Sequence, residues 1–136
     1  MSIKEVHNHL IGHNIKPSMQ RVVIMQYLME HRTHPTIDQI FNDLLSEIPT
    51  LSKTTVYNTL KLFYDKKAVL SLTIDEKNIR YDADTSIHAH FRCKLCGSIH
   101  DIPLKDVQIP SIKEDHEFLI EEKQVYFIGI CKQCKV

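Results

Sequence analysis

The stretch Ser52–Asp82, SKTTVYNTLKLFYDKKAVLSLTIDEKNIRYD, changes its period halfway along. In its first half Val56, Leu60 and Phe63 recur at helical spacing behind Ser52, a residue suited to cap a helix N-terminus. Lys53, Thr54, Tyr57, Asn58 and Lys61 share a different face, which is polar and rich in hydrogen-bond donors. From Ala68 the apolar residues alternate, and the alternation breaks at Asp75–Asn78, the pattern of a β-hairpin. Several helices followed by a hairpin is the order of a winged helix-turn-helix, whose last helix enters the major groove while the hairpin lies along the DNA backbone. The other reading of the polar face is a solvated helix surface.

Three helices are expected upstream. Ile3, Val6 and Leu10 line one side of a short amphipathic segment. A second helix starts at Pro17, a residue suited to the first helical turn, and carries the stripe Met19, Val22, Val23, Met25 and Leu28. In the third, Thr36 and Gln39 form a capping-box pattern, Ile37, Ile40, Phe41, Leu44, Leu45 and Ile48 recur at helical spacing, and Pro49 closes it. Downstream, residues 88–93, 97–104, 117–123 and 124–131 read as strands, and a short helical piece near 105–115 is interrupted by Pro110. The polar run Asp82–Ser86 marks a boundary. The expected architecture is α+β: a winged-helix DNA-binding domain over residues 1–83 and a small α/β dimerisation and metal-binding domain over residues 84–136.

Composition narrows the function less. The chain has 136 residues, 17 Lys and Arg against 17 Asp and Glu, and 43% hydrophobic content. Residues 1–81 carry a net charge of +2 and residues 82–136 a net charge of −2, so charge alone does not point to DNA. No apolar run is long enough to span a membrane, and the N-terminus lacks the layout of a signal peptide, so a cytoplasmic protein is expected. In that reducing compartment two C-x-x-C pairs suggest metal or redox chemistry more than disulfides.

Cys93 and Cys96 precede Gly97, which helps a tight knuckle, and Cys131 and Cys134 follow after 34 intervening residues. Two such turns can close a tetrahedron around a structural Zn²⁺. Two unconnected thiol pairs, or a dithiol oxidoreductase, are the other readings. The redox motif belongs at the start of a helix, whereas Gly97-Ser98 leads into a strand. His88 and His90 are one residue apart, so on a strand both face the same side. An isolated pair of this kind is more often exposed surface. Asp101 on the returning strand, and Asp82 before the boundary, shift the balance toward a second metal site. His7, His9, His13, His31 and His116 lack such company, and His100 points away from the face of Asp101.

Taken in order, HPTIDQIF (34–41), SKTTVYNTLKLF (52–63), RYD (80–82), HAHFRCKLCG (88–97), Asp101 and the terminal CKQC make the chain resemble the ferric uptake regulator family of bacterial metal-dependent repressors. Within it the chain is most similar to the peroxide-sensing PerR branch. The resemblance implies a homodimer that reads a palindromic operator in double-stranded DNA, and a regulator in place of an enzyme. It implies structural zinc at the four cysteines and regulatory Fe²⁺ or Mn²⁺ held by His34, Asp82, His88, His90 and Asp101. It further implies that iron with peroxide adds oxygen to a histidine ligand, His34 or His88, and thereby derepresses oxidative-stress genes. Iron-uptake members usually carry glutamate at the positions of Asp82 and Asp101, and they commonly carry a further site at the positions of Ile87 and Ala89, which is expected to be missing here. Asn58 also matches the peroxide branch. On the polar helix face, Tyr57 and Asn58 are expected at base edges, and Lys53, Thr54 and Lys61 at phosphates or bases. Two departures stand out: no glycine follows the recognition helix within residues 65–70, and Pro110 falls where a helix is common. The alternatives are a relative that senses iron, zinc or manganese without peroxide chemistry, and a zinc-ribbon module that binds protein.

Overall fold

The structure is a computed structural model that describes residues 2–108, 110, 112 and 117–135. The chain divides into two compact units, Met1–Thr85 and Ser86–Val136. No helix among the described residues is long and apolar enough to cross a membrane.

The first unit contains α1 (Ile3–Gly12), α2 (Met19–Glu30), α3 (Ile37–Leu44) and α4 (Lys53–Asp65), followed by the strands β1 (Leu70–Leu72) and β2 (Arg80–Asp82). Each helix begins at a hydroxyl cap. Ser2, Ser18, Thr36 and Ser52 accept a backbone N–H three residues on, and Ser2 and Thr36 complete capping boxes with Glu5 and Gln39. A cap of this kind stabilises a helix by about 1 kcal/mol. The α2 cap is Ser18, so Pro17 lies outside the helix that it was expected to start. The stripe on α2 also differs from expectation: Ile24, Met25, Tyr27 and Leu28 are buried, whereas Met19 is 73% exposed. The α2 segment is apolar nearly all round, so periodicity did not single out its inner face.

One apolar cluster holds this unit together, with Val6 and Leu10 from α1, Ile24 and Leu28 from α2, Ile40 and Leu44 from α3, and Val56, Leu60 and Phe63 from α4. Each such side chain contributes about 1.5–3 kcal/mol on burial. Strands β1 and β2 pair antiparallel, with Leu70 opposite Asp82 and Leu72 opposite Arg80, which is the expected wing hairpin. The missing glycine after α4 is replaced by Lys67 at φ 62°. The Lys67 and Ala68 N–H groups donate to the Tyr64 and Phe63 carbonyls, so the helix closes in a Schellman motif with a lysine at the left-handed position.

The second unit is built on β3 (Ala89–Cys93), β4 (Ile99–Ile102) and β5 (Tyr126–Gly129), in the order β4-β3-β5. Strand β3 runs antiparallel to β4 and parallel to β5. Residues 117–123, expected as a strand, form none. Phe118, Leu119 and Ile120 are consecutive and exposed, without the alternation of a half-buried strand, and both edges of β3 are already occupied. Of the helical piece expected near 105–115, a 3₁₀ turn at Leu104–Asp106 is present. Residues 109, 111 and 113–115 lie outside the described residues, as does His116.

Candidate metal centres and DNA-facing helix

The parallel pairing of β3 with β5 sets Cys93 opposite Gly129, and Lys94 N–H donates to the Gly129 carbonyl. That pairing brings the knuckle after β3 beside the turn after β5. The knuckle closes through the Gly97 N–H to the Cys93 carbonyl, with Gly97 at φ 77°. The terminal turn closes through the Cys134 and Lys135 N–H groups to the Cys131 carbonyl. As a result the sulfurs of Cys93, Cys96, Cys131 and Cys134 lie within 4.8 Å of one another. Cys96 Sγ and Cys131 Sγ are 3.7 Å apart. A zinc tetrathiolate with Zn–S bonds of about 2.3 Å has S···S edges of about 3.8 Å, so the Cys96–Cys131 edge already has the length that zinc requires.

The surroundings favour thiolate at two of the four sulfurs. The Cys96 and Cys131 backbone N–H groups approach Cys93 Sγ at 3.5 and 3.4 Å and bring its pKa down to about 6. Cys96 is lowered by Ser98, whose hydroxyl stands 3.0 Å from Cys96 Sγ and 3.0 Å from His100 Nε2. Crowding by the sulfurs of Cys131 and Cys96 pushes Cys134 up to about 12. A divalent cation at the centre reverses that opposition, because it favours four thiolates together.

In the second unit Asp101 sits directly opposite His90 across β3 and β4. Its Oδ1 lies 3.3 Å from His90 Nε2 and 3.3 Å from His88 Nε2, and the two imidazoles are 4.3 Å apart at their centroids. His88 Nδ1 is 2.7 Å from the Ser86 carbonyl, an acceptor that requires the proton on Nδ1, so Nε2 is the nitrogen that faces Asp101. The strand period thus brings together the three residues that it was expected to bring together, with His100 on the other face beside Ser98.

In the first unit His34 Nε2 and Asp82 Oδ2 are 3.4 Å apart, and both residues are buried. His34 occupies the left-handed region at φ 57°, immediately before Pro35. A non-glycine residue held there costs about 1 kcal/mol or more, and such strain clusters at functional sites. Three consecutive residues of β2 hold it. Arg80 Nη1 donates to the His34 carbonyl at 3.0 Å, Tyr81 N–H donates to the Pro35 carbonyl at 3.1 Å, and Asp82 meets the imidazole. Two imidazoles and a carboxylate in one unit, and an imidazole and a carboxylate in the other, are donors of the mixed N/O kind that suits Fe²⁺ or Mn²⁺.

On α4, Lys53, Thr54, Tyr57, Asn58 and Lys61 are exposed while Val56, Leu60 and Phe63 are buried, as the spacing predicts. Two of the cations already have carboxylate neighbours: Lys53 with Asp38 at 3.1 Å and Lys61 with Asp65 at 3.3 Å. Exposed pairs of this kind are worth at most about 1 kcal/mol and exchange readily for a phosphate. A cleft of about 490 Å³ beside this face is lined by Lys16, Ser18, Arg21, Thr55 and Asn58. Lys16 and Arg21 bring two cations to that cleft, and the Arg21 guanidinium donates to the Lys16 carbonyl at 2.8 Å.

The ferric uptake regulator family model matches residues 12–128. The peroxide-responsive repressor PerR of Staphylococcus aureus is 34% identical over 128 residues, covering 89% of this chain and 83% of that one. The structure of PerR from Streptococcus pyogenes superposes with a TM-score of 0.54 at 31% identity, covering 98% of this chain and 92% of that one. The ferric uptake regulator of Helicobacter pylori shares the fold, with a TM-score of 0.75 at 18% identity over 100% of this chain and 95% of that one. The chain belongs to the ferric uptake regulator family of metal-responsive transcription regulators.

Proposed function

We propose that this chain is a DNA-binding repressor that senses hydrogen peroxide through oxidation of a histidine that ligates its regulatory metal. Cys93, Cys96, Cys131 and Cys134 hold structural zinc. His34, Asp82, His88, His90 and Asp101 hold Fe²⁺ or Mn²⁺. The observation that carries this reading is the Asp101 carboxylate at 3.3 Å from both His88 and His90, complemented by the His34–Asp82 pair in the other unit. The similarity to peroxide-responsive repressors at 32–34% identity supports the peroxide branch.

The physical logic is a coupling of two units through one ion. His34 and Asp82 belong to Met1–Thr85, whereas His88, His90 and Asp101 belong to Ser86–Val136. A metal held by both favours the arrangement that draws them together, and it shifts that equilibrium only by its differential affinity for the two states. Removing one imidazole removes about 1–3 kcal/mol of coupling, which weakens DNA binding by roughly 5- to 150-fold. Two carboxylates neutralised by the ion also turn a chain of zero formal charge into a more favourable partner for phosphates. When bound, Fe²⁺ would supply the one-electron chemistry that opens the peroxide O–O bond; overall, peroxide and the imidazole of His34 or His88 would give an oxygenated histidine and water, so the imidazole is the group oxidised. The two imidazoles differ in setting, since His34 is held in a strained backbone and His88 is oriented by the Ser86 carbonyl.

The molecule acts in the cytoplasm as a homodimer on a palindrome in double-stranded DNA, with Tyr57 and Asn58 at base edges and Lys53, Thr54 and Lys61 at phosphates or bases. Exposed Phe118, Leu119, Phe127 and Ile128 leave apolar side chains of the second unit open to contact with a second copy. Loss of the metal grip releases the operator and derepresses oxidative-stress genes.

Peptide mass spectrometry of iron-loaded protein after peroxide tests this. One added oxygen on His34 or His88 is expected, with the manganese-loaded protein unmodified and still bound to DNA. Two unmodified histidines in the iron form would leave a sensor of iron, zinc or manganese without peroxide chemistry.

A further inference from the structure

We propose that Arg80 is a positioning residue for the regulatory metal: its guanidinium joins the His34 carbonyl to Asp75 in the hairpin turn, so that metal held at His34 and order in that turn reinforce each other. The proposal rests on the reading of His34 as a ligand.

His34 stands at φ 57° before a proline, so its imidazole direction depends on whatever holds that backbone. Arg80 supplies a charged donor, Nη1, 3.0 Å from the His34 carbonyl. The same guanidinium donates through Nε to Asp75 Oδ2 at 2.9 Å. Asp75 is itself tied into the turn, because its Oδ1 accepts the Lys77 N–H at 2.9 Å. The Lys77 N–H, reinforced by Arg80, holds the Asp75 carboxyl below the usual carboxylate range. One planar fork therefore bridges a ligand-bearing loop after α2 and the tip of the wing between β1 and β2. Both Arg80 and Asp75 are mostly buried at this contact, with side chains 17% exposed, which shields the bridge from solvent. Arginine suits the task because its fork presents two donors in fixed, planar geometry, whereas the donors of a lysine all radiate from one nitrogen. The wing is the part of a winged helix that lies along the DNA backbone. Through this bridge, metal binding at His34 and ordering of residues 73–79 share one linkage, and each strengthens the other by the same factor.

The test uses zinc-loaded full-length protein with Mn²⁺ alone as the probe. Calorimetry gives the Mn²⁺ affinity, and hydrogen exchange of the peptide spanning 73–79 gives the order of the turn with and without Mn²⁺. In the unaltered protein Mn²⁺ is expected to slow exchange in that peptide. Arg80→Gln is expected to lower Mn²⁺ affinity about tenfold or more and to abolish the slowing. Asp75→Asn leaves the bond from Arg80 to His34 in place, so it is expected to keep most of the affinity yet lose the slowing. His34→Ala loses Mn²⁺ affinity in either case. If Arg80→Gln binds Mn²⁺ like the unaltered protein while His34→Ala does not, the positioning role is overturned and the ligand reading survives. If His34→Ala binds Mn²⁺ normally, the ligand reading falls and the proposal falls with it. Should Arg80→Gln not fold, Asp75→Asn decides alone, and persistence of the Mn²⁺-dependent slowing in that variant overturns the link.

Discussion

The two units are held together by different means. In Met1–Thr85, seventeen side chains from the four helices, the segments that connect them and the hairpin form one buried cluster. In Ser86–Val136, Ala89, Cys93 and Cys131 are the buried apolar residues among those described, while Leu95, Phe118, Leu119, Ile120, Phe127, Ile128 and Ile130 are exposed. The first unit has the core of an ordinary small domain. The second has a sheet, a sulfur cluster and an uncovered apolar surface. Stability of the first is therefore hydrophobic in origin, and the second, with so few buried apolar residues among those described, is expected to depend on a metal at its four cysteines.

The strongest way to break this contrast is to remove the zinc. A structural zinc site supplies about 10–16 kcal/mol of apparent binding free energy, which becomes folding free energy when no site exists in the unfolded chain. Strong chelation, or Cys131→Ser, is expected to collapse hydrogen-exchange protection in β3, β4 and β5 while the helices between Ile3 and Asp65 keep theirs. Full protection of the sheet in zinc-free protein would show that the second unit has a source of stability other than the metal.

The complementary perturbation is Leu60→Ala. Leu60 is fully buried in the first unit's cluster, and truncation of a buried leucine costs about 2–5 kcal/mol. Denaturant unfolding followed by helical signal is expected to shift by that amount, with zinc still bound at one per chain. Loss of zinc from this variant would mean that the sulfur cluster leans on the first unit's core.

The same contrast explains what was legible in the sequence. Local rules carried the first unit far: the capping box of Thr36 and Gln39, the inner face of α4 and the hairpin all follow from period and cap chemistry. In α2 they failed, because a segment apolar nearly all round has no preferred inner face until its neighbours are known. In the second unit, two-residue strand period sufficed to align His90 with Asp101, and paired C-x-x-C spacing sufficed for the sulfur cluster. His34 followed from no local rule. It lies between helices in a strained conformation imposed by β2, a strand more than forty residues away, and only family resemblance pointed to it. The Ser98–His100 contact beside Cys96 was likewise hidden, since strand alternation removed His100 from one site without showing that it adjoins the other.

The smallest perturbation sharpens the comparison at the level of single residues. Both units contain left-handed positions that close a turn, filled differently. The first uses Asn14 at φ 60° after α1 and Lys67 at φ 62° after α4, and the second uses Gly97 at φ 77° in the cysteine knuckle. A side chain in that region costs about 1–2 kcal/mol, partly offset because glycine loses more chain entropy on folding. Lys67→Gly is therefore expected to stabilise the first unit by about 1 kcal/mol or less, read as a rise in its unfolding midpoint. Asn14→Gly should gain less, because asparagine tolerates this conformation better than lysine. Gly97→Ala should act in the opposite direction: nothing beyond its chain neighbours stands within 4 Å of the added Cβ, so its cost is conformational and falls on the cysteine knuckle. An unchanged midpoint for Lys67→Gly would mean that the bonds from Lys67 and Ala68 to the end of α4 hold the lysine there without strain. The first unit's tolerance of a lysine at that position would then come from the turn itself and owe nothing to its larger core.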